Sequence, residues 1–200
     1  PCTCFKIKGT NRLNPVEQEL NKKMHKAITV IQFKLEGKLL MRRREFGMAD
    51  RALLDDIDYT EGTIKIGYQT YMLDNNFPTI DPENPYELSR EEREVVDRLV
   101  FAFVNCEKLQ KHMQFLLKKG SMYKIYNRNL LYHGCIPMNE DGSFKEVSVY
   151  GKTYKGKALY DVLDSYVRKA FVAVNEEERE KGRDILWVIW SSPNSPLFGT

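Results

Sequence analysis

The sequence predicts an α+β fold class, mostly long α-helices with short β-hairpins between them. Two patterns predict this fold: three long stretches place apolar residues at every third or fourth position, and several short stretches alternate in polarity around turn residues. A composition of 42 % hydrophobic and 30 % charged residues is typical of a chain with a buried core. With 200 residues, we expect one domain, or one domain with a small appendage.

Charge, hydropathy and cysteine content exclude several functional classes. Subtracting 28 acidic from 31 basic residues gives a net charge of +3, which is too even to indicate a nucleic-acid partner. No apolar run approaches the roughly 18 residues that a membrane-spanning helix needs, so we expect no membrane partner. Four cysteines are too few for a disulfide scaffold, which favours reduced thiols and a cytoplasmic location. They are Cys2, Cys4, Cys106 and Cys135.

The first long helix is predicted to begin after Asn14. Asn14 suits the N-cap, Pro15 suits the first helical position, and Glu17 stands where a capping box needs its carboxylate. A second, shorter helix is predicted from about residue 48 to residue 57. The apolar stripe of the first helix comprises Val16, Leu20, Met24, Ala27, Ile28, Ile31, Leu35 and Leu39.

The middle of the chain combines a predicted hairpin, a loop and a helix. Residues 63–73 alternate in polarity around a glycine and predict a small β-hairpin, whereas residues 75–85 contain three prolines and predict an ordered loop. Ser89 and Glu92 then form a second capping box, which opens one long helix that we expect to end at Gly120. Its stripe comprises Val95, Val96, Leu99, Val100, Phe103, Val104, Leu109, Met113, Leu116 and Leu117.

The last third is predicted to mix hairpins with helices. Residues 122–132 predict a strand, a tight turn and a second strand, and a further hairpin is expected near residues 141–151. A third long helix is predicted from about residue 156 to residue 174. After a polar, solvated run at 176–181, the apolar residues 184–190 favour a short helix. Because each long helix has one apolar stripe to bury, we expect the long helices to pack as a bundle of their own.

His133 is the best candidate for a residue that carries chemistry. It stands at the end of a predicted strand, where a side chain is held rigidly, and imidazole is a good ligand for divalent transition metals. Gly134 beside it allows the backbone to approach an ion or a phosphate closely. A purely structural histidine is the alternative from these residues alone. His25 and His112 lie inside long helices, for which a solvated or packing role is predicted.

The cysteines allow two further hypotheses. Cys135 lies two residues after His133, so both would share one face if the strand continued, and Cys135 could then act as a nucleophile. Cys2 and Cys4 could bind a soft metal, but they lack the second pair of ligands that such a site needs. Free thiols without a specific role are the alternative for all of them.

Four segments resemble a known family. They are residues 31–37 (IQFKLEG), 76–88 (NFPTIDPENPYEL), 120–142 (GSMYKIYNRNLLYHGCIPMNEDG) and 190–199 (WSSPNSPLFG). They occur in the order in which they occur in the class III fructose-1,6-bisphosphatases of Gram-positive bacteria, and the resemblance extends over nearly the whole chain. That family is similar to the calcineurin-like metallophosphatases.

The resemblance implies a centre with two divalent metal ions, commonly manganese. His133 and Gly134 resemble the fourth motif of the metallophosphatases, which makes His133 a metal ligand. The chain contains no Gly-Asp, Gly-Asn or Gly-His dipeptide, so the other motifs are missing. The resemblance therefore implies an internal fragment of a longer enzyme, with which a start at Pro1 and a stop at Thr200 agree.

The resemblance also implies a division of the chain. Residues 1–120 would be a mainly helical insertion with the small hairpin near 63–73, and residues 121–200 would be part of a metallophosphatase sandwich. The parent enzyme would release the 1-phosphate of fructose 1,6-bisphosphate in gluconeogenesis by means of a metal-bound hydroxide. We expect the fragment alone to be inactive, and no catalytic residue can be assigned.

A second reading belongs to a different functional class. The chain could be a non-catalytic helical module for regulation or oligomerisation, including a homo-oligomer. His133 would then be a satisfied structural histidine with both ring nitrogens bonded to protein groups. A metal ion within about 2.0–2.2 Å of a ring nitrogen would instead favour the enzyme.

Overall fold

The computed structural model of the protein describes residues 13–74 and 76–198 and confirms the α+β class. All strand pairs are antiparallel, in one three-stranded sheet of order β1-β2-β3 and in two separate hairpins, β4–β5 and β6–β7. The helices are α1 (Pro15–Arg42), α2 (Arg90–Val104), α3 (Glu107–Lys119), α4 (Gly156–Val172) and α5 (Glu176–Ser191). The strands are β1 (Ile57–Asp58), β2 (Thr63–Ile66), β3 (Gln69–Met72), β4 (Tyr123–Tyr126), β5 (Asn129–Tyr132), β6 (Val147–Val149) and β7 (Lys152–Tyr154).

The described chain divides into two compact units. The first comprises the described residues up to 44 together with 48–101, and the second comprises residues 45–47 together with 102–198. None of the helices within 13–74 and 76–198 is both long and apolar enough to cross a bilayer.

Helix α1 begins where the sequence predicts, but it buries a different face. The Asn14 side chain accepts from the Glu17 N–H at 2.9 Å, and the Glu17 carboxylate accepts from the Asn14 N–H at 2.9 Å, which confirms the capping box. Of the predicted apolar stripe, only Ile31 is fully buried. The buried set is Val30, Ile31, Lys34, Gly37 and Leu40.

The predicted helix at 48–57 is wrong. Two short 3-10 helices replace it, at Ala49–Arg51 and Leu53–Asp56, and a third lies just before it, at Arg44–Phe46. Two tyrosine hydroxyls donate to carbonyls of this segment, that of Tyr86 to Ala52 at 2.8 Å and that of Tyr59 to Leu54 at 3.1 Å. The Tyr86 bond, which spans 34 residues, occupies a carbonyl group that an α-helix would use for its own ladder.

The single helix predicted from Ser89 to Gly120 is also wrong in its middle. Its start is confirmed, because the Ser89 N–H donates to the Glu92 carboxylate at 2.8 Å and the Ser89 hydroxyl accepts from the Glu92 N–H at 3.2 Å. The chain then breaks at residues 105–106, between α2 and α3. Asn and Cys are weak helix formers, and the apolar spacing lengthens to five between Val104 and Leu109.

The predicted bundle of long helices does not form within the described residues. Helices α4 and α5 pack as a helical hairpin, and α5 extends through the run at 176–181 that was predicted to be a separate solvated segment. Helices α1, α2 and α3 leave most of their apolar stripes exposed. Among the exposed residues are Val16, Leu20, Met24, Leu99, Val100, Phe103, Val104 and Phe115.

The second unit has a core between the α4–α5 hairpin and the two small β-hairpins. The turn of β4–β5 places Asn127 and Arg128 at φ 47° and 64°, as a two-residue primed turn requires, and Tyr132 lies opposite Tyr123. This core comprises Met122, Val149, Leu159, Tyr160, Leu163, Ile185 and Ile189.

Gly182 allows the two helices of the hairpin to approach at backbone distance. A Cβ at residue 182 would lie 2.4 Å from the Ala170 nitrogen and 2.6 Å from the Tyr166 oxygen, both of which are main-chain atoms. We therefore expect Gly182→Ala to lower the free energy of unfolding of the second unit by about 3 kcal/mol, the upper end of ordinary overpacking costs. The gain in helix propensity offsets about 1 kcal/mol of the gross cost.

Denaturant unfolding followed by tryptophan fluorescence measures this effect, because both tryptophans of the chain lie in α5. Arg183→Ala is the matched control. Arg183 is exposed and makes a surface ion pair with Glu176, so its loss should cost less than about 1 kcal/mol. Equal unfolding midpoints for the two variants would contradict the prediction.

Candidate functional site

His133 follows directly after the last residue of β5, and its side chain is exposed. Within residues 13–74 and 76–198, the structure contains no hydrogen bond or ion pair of the His133 ring. The strand has ended by this point, so the argument that His133 and Cys135 share a strand face does not apply. The imidazole is therefore accessible to solvent just after the end of the β4–β5 hairpin.

Gly134 lies against the main chain of a distant segment. A Cβ at this residue would be 2.6 Å from the Pro196 oxygen and 2.8 Å from the Leu197 carbonyl carbon. A backbone contact of this kind cannot be relieved by rotating a side chain. Glycine is thus required here for the packing of two chain segments.

We call residues 192–198, which follow α5, the clasp. The Cys135 N–H donates to the Pro196 oxygen at 3.0 Å. The Cys135 thiol makes two longer contacts, at 3.7 Å to the Ser195 oxygen and 3.6 Å to the Phe198 oxygen. The clasp therefore fixes the main chain immediately after His133, and it engages the thiol with carbonyl groups.

Ser195 holds the clasp to the end of α5. Its hydroxyl donates to the Ile189 oxygen at 2.6 Å and accepts from the Leu197 N–H at 3.1 Å. Ser195 is buried, and so is Ser192, whose N–H donates to the Val188 oxygen at 2.8 Å. Since its polar groups are satisfied internally, the clasp is a packed part of the second unit.

Tyr160 of α4 supports the same loop from the other side. Its hydroxyl donates to the Cys135 oxygen at 2.7 Å, and its ring makes edge-on contacts with those of Tyr123 and Tyr132. Burial, with smaller contributions from Cys135 and Tyr132, raises the pKa of Tyr160 to about 12. The hydroxyl is therefore protonated at neutral pH and available as a donor.

The other candidate histidines and the remaining cysteines are on other elements or outside the described residues. His25 is exposed on α1 and His112 is exposed on α3. Cys106 is an exposed free thiol, whereas Cys135 is a half-buried free thiol. Cys2 and Cys4 lie outside the described residues. Sequence reasoning missed Tyr160 and Ser195. The Tyr160 hydroxyl bonds Cys135, 25 positions away, and the Ser195 hydroxyl makes bonds in the irregular segment after α5, so neither follows a helix or strand period.

A metal centre needs more ligands than this loop provides. Within the part of the chain that the structure describes, no group of three or more His, Cys, Asp and Glu residues is arranged to hold an ion. The only feature of this loop that suits a divalent metal, among the described residues, is the accessible imidazole of His133. It can supply one ligand to a centre whose other ligands come from elsewhere.

An apolar cavity of about 270 Å³ lies beside the loop. It is bounded by one face of the β4–β5 hairpin and by the ring of Tyr160. The opposite face of the hairpin is exposed as well, since Tyr126 is 62 % and Leu131 53 % accessible. Such a two-stranded ribbon is only marginally stable unless other elements pack on it.

Comparison with known proteins identifies a family and several similar relatives. A family model described as Firmicute fructose-1,6-bisphosphatase matches residues 1–200. Two relatives named fructose-1,6-bisphosphatase class 3 come from Clostridium botulinum. That of strain Loch Maree is 52 % identical over 201 residues, and that of strain Alaska E43 is 49 % identical over 203 residues.

These alignments cover 99 % and 100 % of this chain. They cover only 30 % and 31 % of the relatives, so the chain spans about a third of their length. No solved structure matches the chain. Because the family model matches the whole sequence, the chain belongs to the Firmicute fructose-1,6-bisphosphatase family.

Proposed function

We propose that this chain is part of a fructose-1,6-bisphosphatase that releases the 1-phosphate of fructose 1,6-bisphosphate in gluconeogenesis, in the cytoplasm. The match of all 200 residues to the family carries this proposal. The names of the relatives state the bisphosphatase activity for those proteins. The polypeptide they contain beyond the matched third would complete the enzyme, so the 200 residues alone would be inactive.

His133 is proposed as one ligand of a manganese centre with two metal ions. Its exposure, its lack of a hydrogen-bonded partner within the described residues and its fixed main chain support this role. Divalent ions in such a centre supply Lewis-acid stabilisation of the charge that develops on the phosphoryl oxygens. Gly134 allows the clasp main chain to approach closely, and the clasp accepts a hydrogen bond from the Cys135 N–H two residues after His133.

We also propose that residues 121–200 belong to the core of a metallophosphatase sandwich and that residues 1–120 form a helical insertion. The exposed faces and unpaired edges of β4–β5 support the first part, since further strands and a covering layer would bury them. The predominance of helix before residue 120 supports the second part.

A second candidate is the non-catalytic helical module. The exposed apolar stripes of α1, α2 and α3 favour it, because such faces are typical of interaction surfaces, including those of a homo-oligomer. The two functions predict different results for phosphate release. If the segment is part of the enzyme, phosphate release depends on it, whereas a non-catalytic module is not needed for this reaction.

A chimera tests the proposal directly. These 200 residues replace the matching 201 residues of the class 3 relative from Clostridium botulinum strain Loch Maree. We expect the chimera to release phosphate from fructose 1,6-bisphosphate with added manganese and to lose this activity on chelation. A folded chimera that is inactive with manganese, beside an active parent relative, would contradict the proposal.

A further inference from the structure

Cys135, two residues after His133, is bonded through its main chain by two elements that lie far apart in the sequence. The Cys135 N–H donates to the clasp at Pro196, at 3.0 Å, and the Cys135 carbonyl accepts from the Tyr160 hydroxyl of α4, at 2.7 Å. Both main-chain polar groups of Cys135 are therefore used. On the other side of His133, Tyr132 is paired with Tyr123 in the β4–β5 ladder.

The supporting groups are themselves immobilised. Tyr160 is buried, with its ring in contact with two other aromatic rings, so its hydroxyl has one available position. The buried Ser195 hydroxyl ties the clasp to the last turns of α5 by donating to the Ile189 oxygen, and it orders the clasp itself by accepting from the Leu197 N–H. His133 is thus an exposed, unbonded side chain on a main chain that is held at both ends.

We propose that Tyr160 and Ser195 are positioning residues that hold the His133 loop in one conformation, ready to bind a divalent cation. This inference rests on the proposed function. The physical reason is that a ligand whose backbone is already ordered loses less conformational entropy when the ion binds. Neither hydroxyl touches the ion or the substrate in this scheme, and each acts through Cys135 or the clasp.

Nuclear magnetic resonance of the 200-residue chain tests the positioning without a metal. The chain has three histidines, so the ring signal of His133 can be assigned by its loss in His133→Ala, while His25 and His112 serve as internal references. We expect Tyr160→Phe and Ser195→Ala to shift or broaden the His133 signal and to leave the other two unchanged. A uniform change in all three signals, or none, would overturn the proposal.

Tyr154→Phe is the matched control. Tyr154 is half-buried against the same core, and its hydroxyl has no hydrogen bond within the described part of the chain. Its loss should leave the His133 signal unchanged. A shift of the His133 signal in Tyr154→Phe equal to that in Tyr160→Phe would show that any core tyrosine has this effect, which overturns the specific role of Tyr160.

Manganese binding to the chimera gives the second readout. Free Mn²⁺ is counted by electron paramagnetic resonance during a titration with manganese chloride. We expect Tyr160→Phe and Ser195→Ala to weaken the affinity about tenfold, at the lower end of the range for residues that support a ligand. Excess manganese should restore turnover, because the substitutions leave the reacting groups in place.

His133→Ala distinguishes the ligand role of His133 from the positioning role of Tyr160 and Ser195. If His133→Ala loses affinity but Tyr160→Phe and Ser195→Ala bind manganese like the unmodified chimera, the positioning role is wrong and the ligand role stands. If His133→Ala itself binds manganese as tightly as the unmodified chimera, the ligand role fails, and the positioning proposal fails with it.

Discussion

Replacing His133 with alanine is expected to reduce manganese-dependent phosphate release by the chimera on the order of 100-fold or more. Loss of a group that merely supports a metal ligand costs 10–100-fold, and loss of the ligand itself should cost at least as much. The measurement is the rate of phosphate release from fructose 1,6-bisphosphate at saturating substrate, together with the manganese concentration that gives half-maximal activity.

His112→Ala is the control for this substitution. His112 is exposed like His133, but it belongs to helix α3 and not to the loop that follows β5. It should retain the activity and the manganese dependence of the unmodified chimera. If His133→Ala also keeps near-normal turnover while its circular dichroism is unchanged, His133 is a structural residue and the helical module becomes the better interpretation.

The second large effect is expected from the buried ion pair of the first unit. Lys34 and Glu92 are both buried, and the ammonium nitrogen lies 2.7 Å from the carboxylate. The ammonium also donates to the Thr79 oxygen at 2.5 Å. We expect Lys34→Met to lower the free energy of unfolding by about 3–5 kcal/mol, because it leaves a buried carboxylate without its cation.

Lys38→Met provides a comparison one helical turn away. Lys38 pairs with Glu87 at 2.8 Å, and 39 % and 55 % of these side chains are exposed to water, so the loss should be below about 1 kcal/mol. Hydrogen exchange of the α1 and α2 amides measures both variants, since the two tryptophans report only on the second unit. Equal protection in the two variants would contradict the prediction.

The change of stability with pH shows whether the Lys34–Glu92 ion pair stabilises the fold. Burial by itself raises the pKa of Glu92, but the hydrogen bonds from Lys34, Thr79 and Ser89 outweigh it, and the pKa lies below its ordinary value of 4.5. A carboxyl whose pKa is lowered on folding contributes stability above its unfolded pKa, and this stability is lost as the pH falls through the folded pKa.

The unmodified protein should therefore lose stability in the first unit as the pH falls below about 4.5. In Lys34→Met the carboxyl is buried without a cation, so its pKa should rise and protonation should relieve the defect. We expect acid to narrow the stability difference between the two proteins. A difference that stays constant from neutral pH to below 4.5 would contradict this account.

The starts of the helices and the positions of the tight turns were determined by the sequence itself. Two capping boxes, at Asn14 and Ser89, lie where the sequence places them, because a cap depends on side chains only three residues apart. The turn at Asn127 and Arg128 was equally predictable, since it separates two alternating strands. The resemblance around His133 also selected the loop that carries the candidate site.

Tertiary structure decided which faces are buried and how His133 is held. A hydrophobic pattern could not select Lys34 for the buried face of α1, because its partner Glu92 lies 58 residues further along the chain. Likewise, the clasp reaches Cys135 from about 60 residues away, and Tyr160 reaches it from 25. Periodicity and capping register only near neighbours in the sequence, whereas buried ion pairs and backbone contacts exist only once distant segments have packed together.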